Sequence, residues 1–115
     1  MTIKIKNLRL RAIIGVNQWE RQNRQEIIVN IEMEYDGSAA AASDRVEDAV
    51  DYSALKRRLL AEVEASEFFL LEKLATFVLN IVMQDPRIVS TVVEIDKPHA
   101  LRFADSVSVT VRGHR

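Results

Sequence analysis

The segment Ile95-Asp96-Lys97-Pro98-His99-Ala100-Leu101-Arg102 puts a lysine at the end of an apolar alternating stretch and stops it with a proline. A histidine and an arginine follow, and Ser106-Val107-Ser108-Val109 restarts the alternation. Cationic and ionisable groups therefore gather where two strands meet. A lysine held at a strand end beside a rigid turn can move protons, which acid–base chemistry requires. The same residues also suit a solvated hairpin loop with ordinary surface charge.

Few other side chains can contribute. The chain has two histidines and no cysteine, so a thiol nucleophile, a disulfide frame and a His-rich or thiolate metal site are excluded. There is no glycine-rich phosphate loop, and no serine sits in a nucleophile elbow. His114 lies one residue from the C-terminus and reads as solvated. What remains is Lys97, Tyr52 and a small set of carboxylates, chiefly Glu20 and Glu72. Taken singly, each has an ordinary explanation. Glu20 would be a loop charge, Tyr52 a packing residue at a helix start, Glu72 a residue of a helix's first turn, and Arg9 and Arg11 a solvated strand face.

With 115 residues, 48% hydrophobic and 29% charged, the chain reads as one soluble domain spanning 1–115. A net charge of −1 argues against a general nucleic-acid partner. No apolar run suits a signal peptide or a membrane span, so a cytoplasmic location without membrane contact is expected.

These groups must be positioned by elements with legible periods. Ile3 and Ile5 alternate with lysines, then Leu8, Leu10, Ala12 and Ile14 with Arg9 and Arg11, the phase flipping at Asn7 as at a β-bulge. Ile27, Val29, Ile31, Met33 and Tyr35 share one strand face. After a polar connection (15–24) and an alanine-rich, irregular or short helical stretch (37–50), apolar residues recur at helical spacing. Leu55, Leu59 and Val63 mark a helix over about 52–67; Leu71, Leu74, Ala75, Val78 and Val82 mark one over about 70–84, stopped by Asp85-Pro86. Val89, Thr91, Val93, Ile95 and Lys97 share a strand face, and Val107, Val109 and Val111 close the chain. This order, β-β-α-α-β-β, predicts an α+β fold with two helices on one face of a four-stranded antiparallel sheet. Such a sheet exposes long edges, which pairing of several copies into a closed barrel would remove. A homo-oligomer with sites at subunit boundaries is therefore expected.

Four blocks, Ile14-Gly15-Val16-Asn17-Gln18-Trp19-Glu20, Val50-Asp51-Tyr52, Leu70-Leu71-Glu72-Lys73-Leu74-Ala75 and Asp96-Lys97-Pro98, resemble in order and spacing the signature blocks of the dihydroneopterin aldolase family. The likeness runs from about Ile3 to Val111. Within that family, Ile5-Lys6-Asn7-Leu8-Arg9-Leu10-Arg11 and the stretch from Ile95 to Ser106 look most like members that epimerise C2′ of 7,8-dihydroneopterin triphosphate to give dihydromonapterin triphosphate. Aldolases usually carry fewer basic residues in both places. Pro98, in contrast, stands where aldolases often have proline and some epimerases have leucine.

The resemblance implies a tunnelling fold, commonly an octamer of two stacked tetramer rings, with sites between protomers, a pterin as substrate, and neither metal nor cofactor. It assigns Glu72 to the pterin ring, with backbone groups near Leu71 and Asp51 completing the ring contacts. Glu20 matches the residue that binds the side-chain hydroxyls, Lys97 the proton-transfer lysine, and Tyr52 the tyrosine that protonates an enol intermediate. His99 and Arg102, on the loop after Lys97, are candidates for a phosphate tail. The alternatives are an aldolase releasing 6-hydroxymethyl-7,8-dihydropterin and glycolaldehyde, and a non-catalytic pterin-binding module.

Overall fold

A computed structural model describes all 115 residues. The chain runs through β1 (Thr2–Ile14), α1 (Gln18–Gln22), β2 (Gln25–Tyr35), α2 (Ser38–Ser43), a 3-10 turn (Val46–Asp48), α3 (Tyr52–Glu64), β3 (Glu67–Phe68), α4 (Leu71–Val82), β4 (Ile88–Pro98) and β5 (Ser106–His114). The strands form one sheet in the order β3-β1-β2-β4-β5. The four long strands pair antiparallel, and their alternation suits such a sheet covered on one face. The sheet departs from the expected four strands by a fifth, two-residue strand, β3, which pairs in parallel with Ile13 and Ile14. Two residues are too few to carry a period, which is why only the three-dimensional pairing reveals it.

The phase flip in β1 is a bulge. Ile5 pairs with Ile31 and Leu8 with Val29, so Lys6 and Asn7 oppose a single residue. Asn7 takes a left-handed φ of +53, tolerable for asparagine, and its N–H donates to Asn30 Oδ1 at 2.9 Å. The bulge keeps Ile3, Ile5, Leu8, Leu10, Ala12 and Ile14 on one face. There they meet Ile27, Val29, Ile31 and Met33 of β2.

Both long helices cover that face, α3 over β1 and α4 over β4 and β5. Asp51 starts α3 by accepting the Ala54 N–H at 2.9 Å. Leu59 and Val63 of α3 and Leu71, Leu74, Ala75, Val78, Ile81 and Val82 of α4 are buried. Each buried leucine, isoleucine or valine among them contributes about 1.5–3 kcal/mol. One strand expectation is corrected. Val89 is exposed and Ile88 takes the core position, because the β2–β4 register shifts between Glu34 and Tyr35. Beyond the shift Thr91, Val93 and Ile95 are buried as expected, and the same parity brings Lys97 onto the helix-covered face. The opposite face carries Lys4 paired with Glu32, Arg9 with Glu26, and the Asn7–Asn30 contact. No helix is long and apolar enough to cross a membrane.

Candidate active site

The end of β1 builds the site. Its last residue, Ile14, leads into Gly15, whose φ of +128 is costly for any residue with a side chain. The chain then turns into α1, and Glu20 folds back until its carboxylate lies directly on the Gly15 backbone. A Cβ at Gly15 would collide with that carboxylate, so glycine is required twice, by conformation and by space.

Glu20 is held from several sides. The Asn17 N–H donates to Oε1 at 3.3 Å, Gln25 Nε2 donates to Oε2 at 3.0 Å, and Lys97 Nζ donates to the same Oε2. The Gln25 amide also donates to the Ile14 carbonyl at 2.8 Å, which fixes its own position. Burial pushes the Glu20 carboxyl up. The hydrogen bonds from Lys97, Gln25 and Asn17, with the charge of Lys97, outweigh that push and lower it from 4.5 to about 2. Glu20 is therefore an anion throughout the neutral range. A carboxylate offers roughly four acceptor sites; three are taken, and the vacant one on Oε1 can receive a hydroxyl.

Lys97 and Glu20 side chains are only 13% and 12% exposed, whereas the five other ion pairs have side chains exposed by between 25% and 70%. A buried pair costs desolvation and is weak evidence of a stability role. One enclosed pair among open ones, with a perturbed carboxyl at its centre, is the arrangement expected of a reacting site.

Arg21 ties this loop to the helix that carries Glu72. Its guanidinium donates to the carbonyls of Gly15 at 3.1 Å, Phe68 at 3.0 Å and Glu67 at 2.7 Å, and stacks 3.9 Å from the centroid of the Phe69 ring. The Gly15 N–H also donates to the Phe68 carbonyl at 3.3 Å, and Phe68 packs against Phe77 of α4 with centroids 5.2 Å apart. Glu72 lies in the first turn of α4, exposed beside the exposed Phe69 and Leu70, while the Leu71 side chain is buried in the core. Thus Glu20, Lys97 and the start of Glu72's helix meet at one end of the sheet.

Tyr52 and Asp51 are not brought there. Tyr52 is 58% exposed and borders a hollow with Ile5, Ser53, Lys56 and Arg57. Ile5 lies in the row of Ile31 and Val93, four residues along β4 from Lys97, about 13 Å of strand. The Asp51 carboxylate is occupied as the cap of α3. His99, with a left-handed φ of +63, lines a hollow next to the Lys97–Glu20 pair, and Arg102 sits on the exposed loop beyond it. Arg9 is bonded to Glu26, and the Arg11 guanidinium donates to the Arg24 carbonyl at 3.3 Å. Gly15, Gln25 and Arg21 carry no sign in the sequence of these contacts, apart from a glycine and a polar cluster just before and after a short polar turn.

The model of the dihydroneopterin aldolase (FolB) family matches residues 3–112. The chain is 40% identical over 113 residues to dihydroneopterin triphosphate 2'-epimerase of Pseudomonas aeruginosa, covering 98% of this chain and 92% of that protein. It is 43% identical over 113 residues to the Escherichia coli K12 protein of the same name, covering 98% and 94%. Dihydroneopterin aldolase of the same strain is 30% identical over 107 residues, covering 93% and 88%. A crystal structure of E. coli dihydroneopterin aldolase in complex with neopterin superposes with a TM-score of 0.93 at 28% identity, covering 98% of each chain. With the four sequence blocks, the tunnelling-fold sheet and the part-buried lysine–glutamate pair, these likenesses establish that the chain belongs to the dihydroneopterin aldolase family.

Proposed function

We propose that this protein is an epimerase that inverts C2′ of 7,8-dihydroneopterin triphosphate to give dihydromonapterin triphosphate by a retro-aldol/aldol route. The mostly enclosed Lys97–Glu20 pair carries the reading, and the two relatives at 40% and 43% identity, both named as epimerases, favour this activity over cleavage. A pterin offers an amino group and a ring N–H side by side, which one carboxylate accepts bidentately. Glu72 takes that part, with the exposed Phe69 and Leu70 beside it supplying an apolar surface. Glu20 accepts the side-chain hydroxyl at its vacant Oε1 site.

Lys97, in its free-amine form and directly or through a water, removes the C2′ hydroxyl proton. The C1′–C2′ bond breaks, its electron pair moves into the ring C=N, and the ring nitrogen takes a proton. The products are an enol on the pterin and an aldehyde that carries the phosphates. If the aldehyde turns over and the enol adds back to its other face, the same bond re-forms with C2′ inverted. If Tyr52 protonates the enol at C1′ first, the ring nitrogen gives up its proton as the C=N bond re-forms, the fragment leaves and the 6-hydroxymethyl pterin is released. A phosphate tail held in place favours re-addition.

The distance between Tyr52 and Lys97 within one protomer supports a site shared between protomers. β1 is covered at its outer edge only at Ile13 and Ile14, and the outer edge of β5 is free. Those two strands run in opposite senses, so β5 of one copy can pair antiparallel with β1 of the next and close a ring. Exposed Val16, Trp19, Tyr52, Phe69, Leu70 and Val89 add apolar surface for such contacts. Two stacked tetramer rings working in the cytoplasm complete the proposal. The test is to incubate the protein with dihydroneopterin and its triphosphate, following C2′ inversion and hydroxymethyl release together. Inversion of the triphosphate should dominate. Dominant release from the unphosphorylated substrate would assign an aldolase instead, and pterin binding without turnover a non-catalytic module.

A further inference from the structure

Next to the Lys97–Glu20 pair lies an open hollow of about 500 Å³ lined by Trp19, Arg24, Gln25, Glu26, Pro98 and His99. It is continuous with the pair in two ways. Pro98 and His99 follow Lys97 directly, and the Gln25 amide that enters the hollow's wall donates to Glu20. Its charges are unevenly committed. Glu26, the one acid in the lining, is bonded to Arg9 at 3.0 Å. The Arg24 backbone is fixed through its carbonyl by Arg11, yet the Arg24 guanidinium has neither a hydrogen bond nor an ion pair within the protomer. His99 lines the same hollow, and its left-handed backbone turns the chain immediately after Pro98. Histidine tolerates that conformation better than most residues, and such outliers concentrate where a side chain must be aimed.

We infer that this hollow is an anion subsite that takes the phosphate tail of the substrate, with Arg24 as the principal donor and His99 as the second. The identity of the anion rests on the function proposed above; the affinity for a polyphosphate does not. Across the sheet the order is the start of Glu72's helix beside β3, Gly15 and Glu20 after β1, Gln25 on β2, and Lys97 at the end of β4 with His99 just beyond it. A substrate held by its ring at Glu72 and reacting beside Lys97 therefore extends its tail toward the β2–β4 side, where the hollow lies. An unpaired guanidinium suits that tail because its planar fork matches two phosphate oxygens at once. Arg9 and Arg11 act indirectly: one occupies the only carboxylate in the hollow, the other anchors Arg24. Arg102 lies farther along the exposed loop and is not in the lining.

The experiment has a binding arm and a kinetic arm on the full chain. Inorganic tripolyphosphate is titrated calorimetrically into the wild type, Arg24→Gln, Arg24→Ala and Arg102→Ala. The wild type should bind with an affinity that falls as salt rises. Both Arg24 variants should weaken binding tenfold or more, and Arg102→Ala should change it less. In the kinetic arm, Arg24→Ala should raise KM for the triphosphate by a similar factor and leave KM for unphosphorylated dihydroneopterin unchanged. Arg24 is exposed, so these variants should keep the wild-type circular dichroism spectrum. Unchanged tripolyphosphate affinity in both Arg24 variants, an equal rise in KM for the two substrates, or a larger loss in Arg102→Ala would overturn the subsite. If the wild type epimerises while Arg24→Ala leaves KM for the triphosphate untouched, the subsite falls and the function stands. If the wild type turns over neither substrate yet tripolyphosphate binding depends on Arg24, the subsite stands and the function falls.

Discussion

Replacing Lys97 by methionine keeps most of the aliphatic stem and removes the ammonium from Glu20. The carboxylate then stays mostly enclosed but loses its charged partner, keeping only the Gln25 amide at 3.0 Å and the Asn17 N–H at 3.3 Å. Burial, which raises the carboxyl, is the largest single influence on it and is now opposed by two neutral donors. The carboxyl should therefore climb from about 2 to its ordinary 4.5 or higher. Carbon-detected NMR titration of the Glu20 side chain reads this directly.

The lowering from 4.5 to about 2 corresponds to about 3 kcal/mol of native-state stabilisation, at about 1.4 kcal/mol per pH unit. The sign follows from a depressed acid. The unfolded chain binds the proton first, so the contribution is complete above pH 4.5, declines as pH falls, and is lost near pH 2. Urea unfolding should accordingly separate wild type and Lys97→Met most at pH 7 and progressively less toward pH 3. Inversion and hydroxymethyl release should both drop by about two orders of magnitude. A Glu20 titration still centred near 2 in Lys97→Met, or a stability difference that does not shrink in acid, would refute the coupling between the two side chains.

Glu72→Ala should weaken pterin binding by roughly 100-fold, about 3 kcal/mol, without changing the thermal midpoint; unchanged calorimetric affinity for neopterin would remove Glu72 from the site. Tyr52→Phe should slow hydroxymethyl release and preserve inversion, both followed chromatographically, and an equal loss of the two would end that division of labour. Gly15→Ala should cost about 1–3 kcal/mol in unfolding free energy and depress turnover, because the new Cβ displaces the Glu20 carboxylate; a variant with wild-type melting and activity would show that the turn adjusts freely.

Much of the fold was legible because its long elements keep strict periods. The phase flip at Asn7 marks a bulge, and the run Val93, Ile95, Lys97 sets the lysine on the same strand face as the core residues. The reversal at Val89 was not legible, because it arises from a register shift whose other half lies at Glu34 and Tyr35, more than fifty residues away. The strand at Glu67 and Phe68 was missed for a related reason: its pairing with Ile13 and Ile14 is non-local and only two residues long. At the site, residue types narrow the candidates to Lys97, Tyr52 and a few carboxylates, and the family resemblance singles out Glu20 and Glu72 among those. Neither could show that Gly15 is the floor beneath Glu20, that Gln25 steers it, or that Arg21 joins its loop to α4. Those are backbone-carbonyl and close-contact relations, which leave no periodic trace.

The groups nominated for catalysis fall into two physical kinds. Glu20 and Lys97 are enclosed and hydrogen-bonded to each other, so their geometry is set when the protomer folds. Tyr52 and Glu72 are exposed, and neither side chain is held by a partner within the protomer. In the proposed reaction this separation has a consequence. Cleavage of the C1′–C2′ bond, common to epimerase and aldolase, depends on the rigid pair. In that proposal, protonation of the enol falls to Tyr52 of a neighbouring copy, because a protomer's own Tyr52 borders the Ile5 row, about 13 Å of strand from Lys97. Small changes in how two protomers meet would then shift the balance between re-addition and release while leaving the bond-breaking step intact. Inversion and cleavage can thus arise on one scaffold from a fixed acid–base pair, a proton donor placed by assembly, and the grip on the departing fragment.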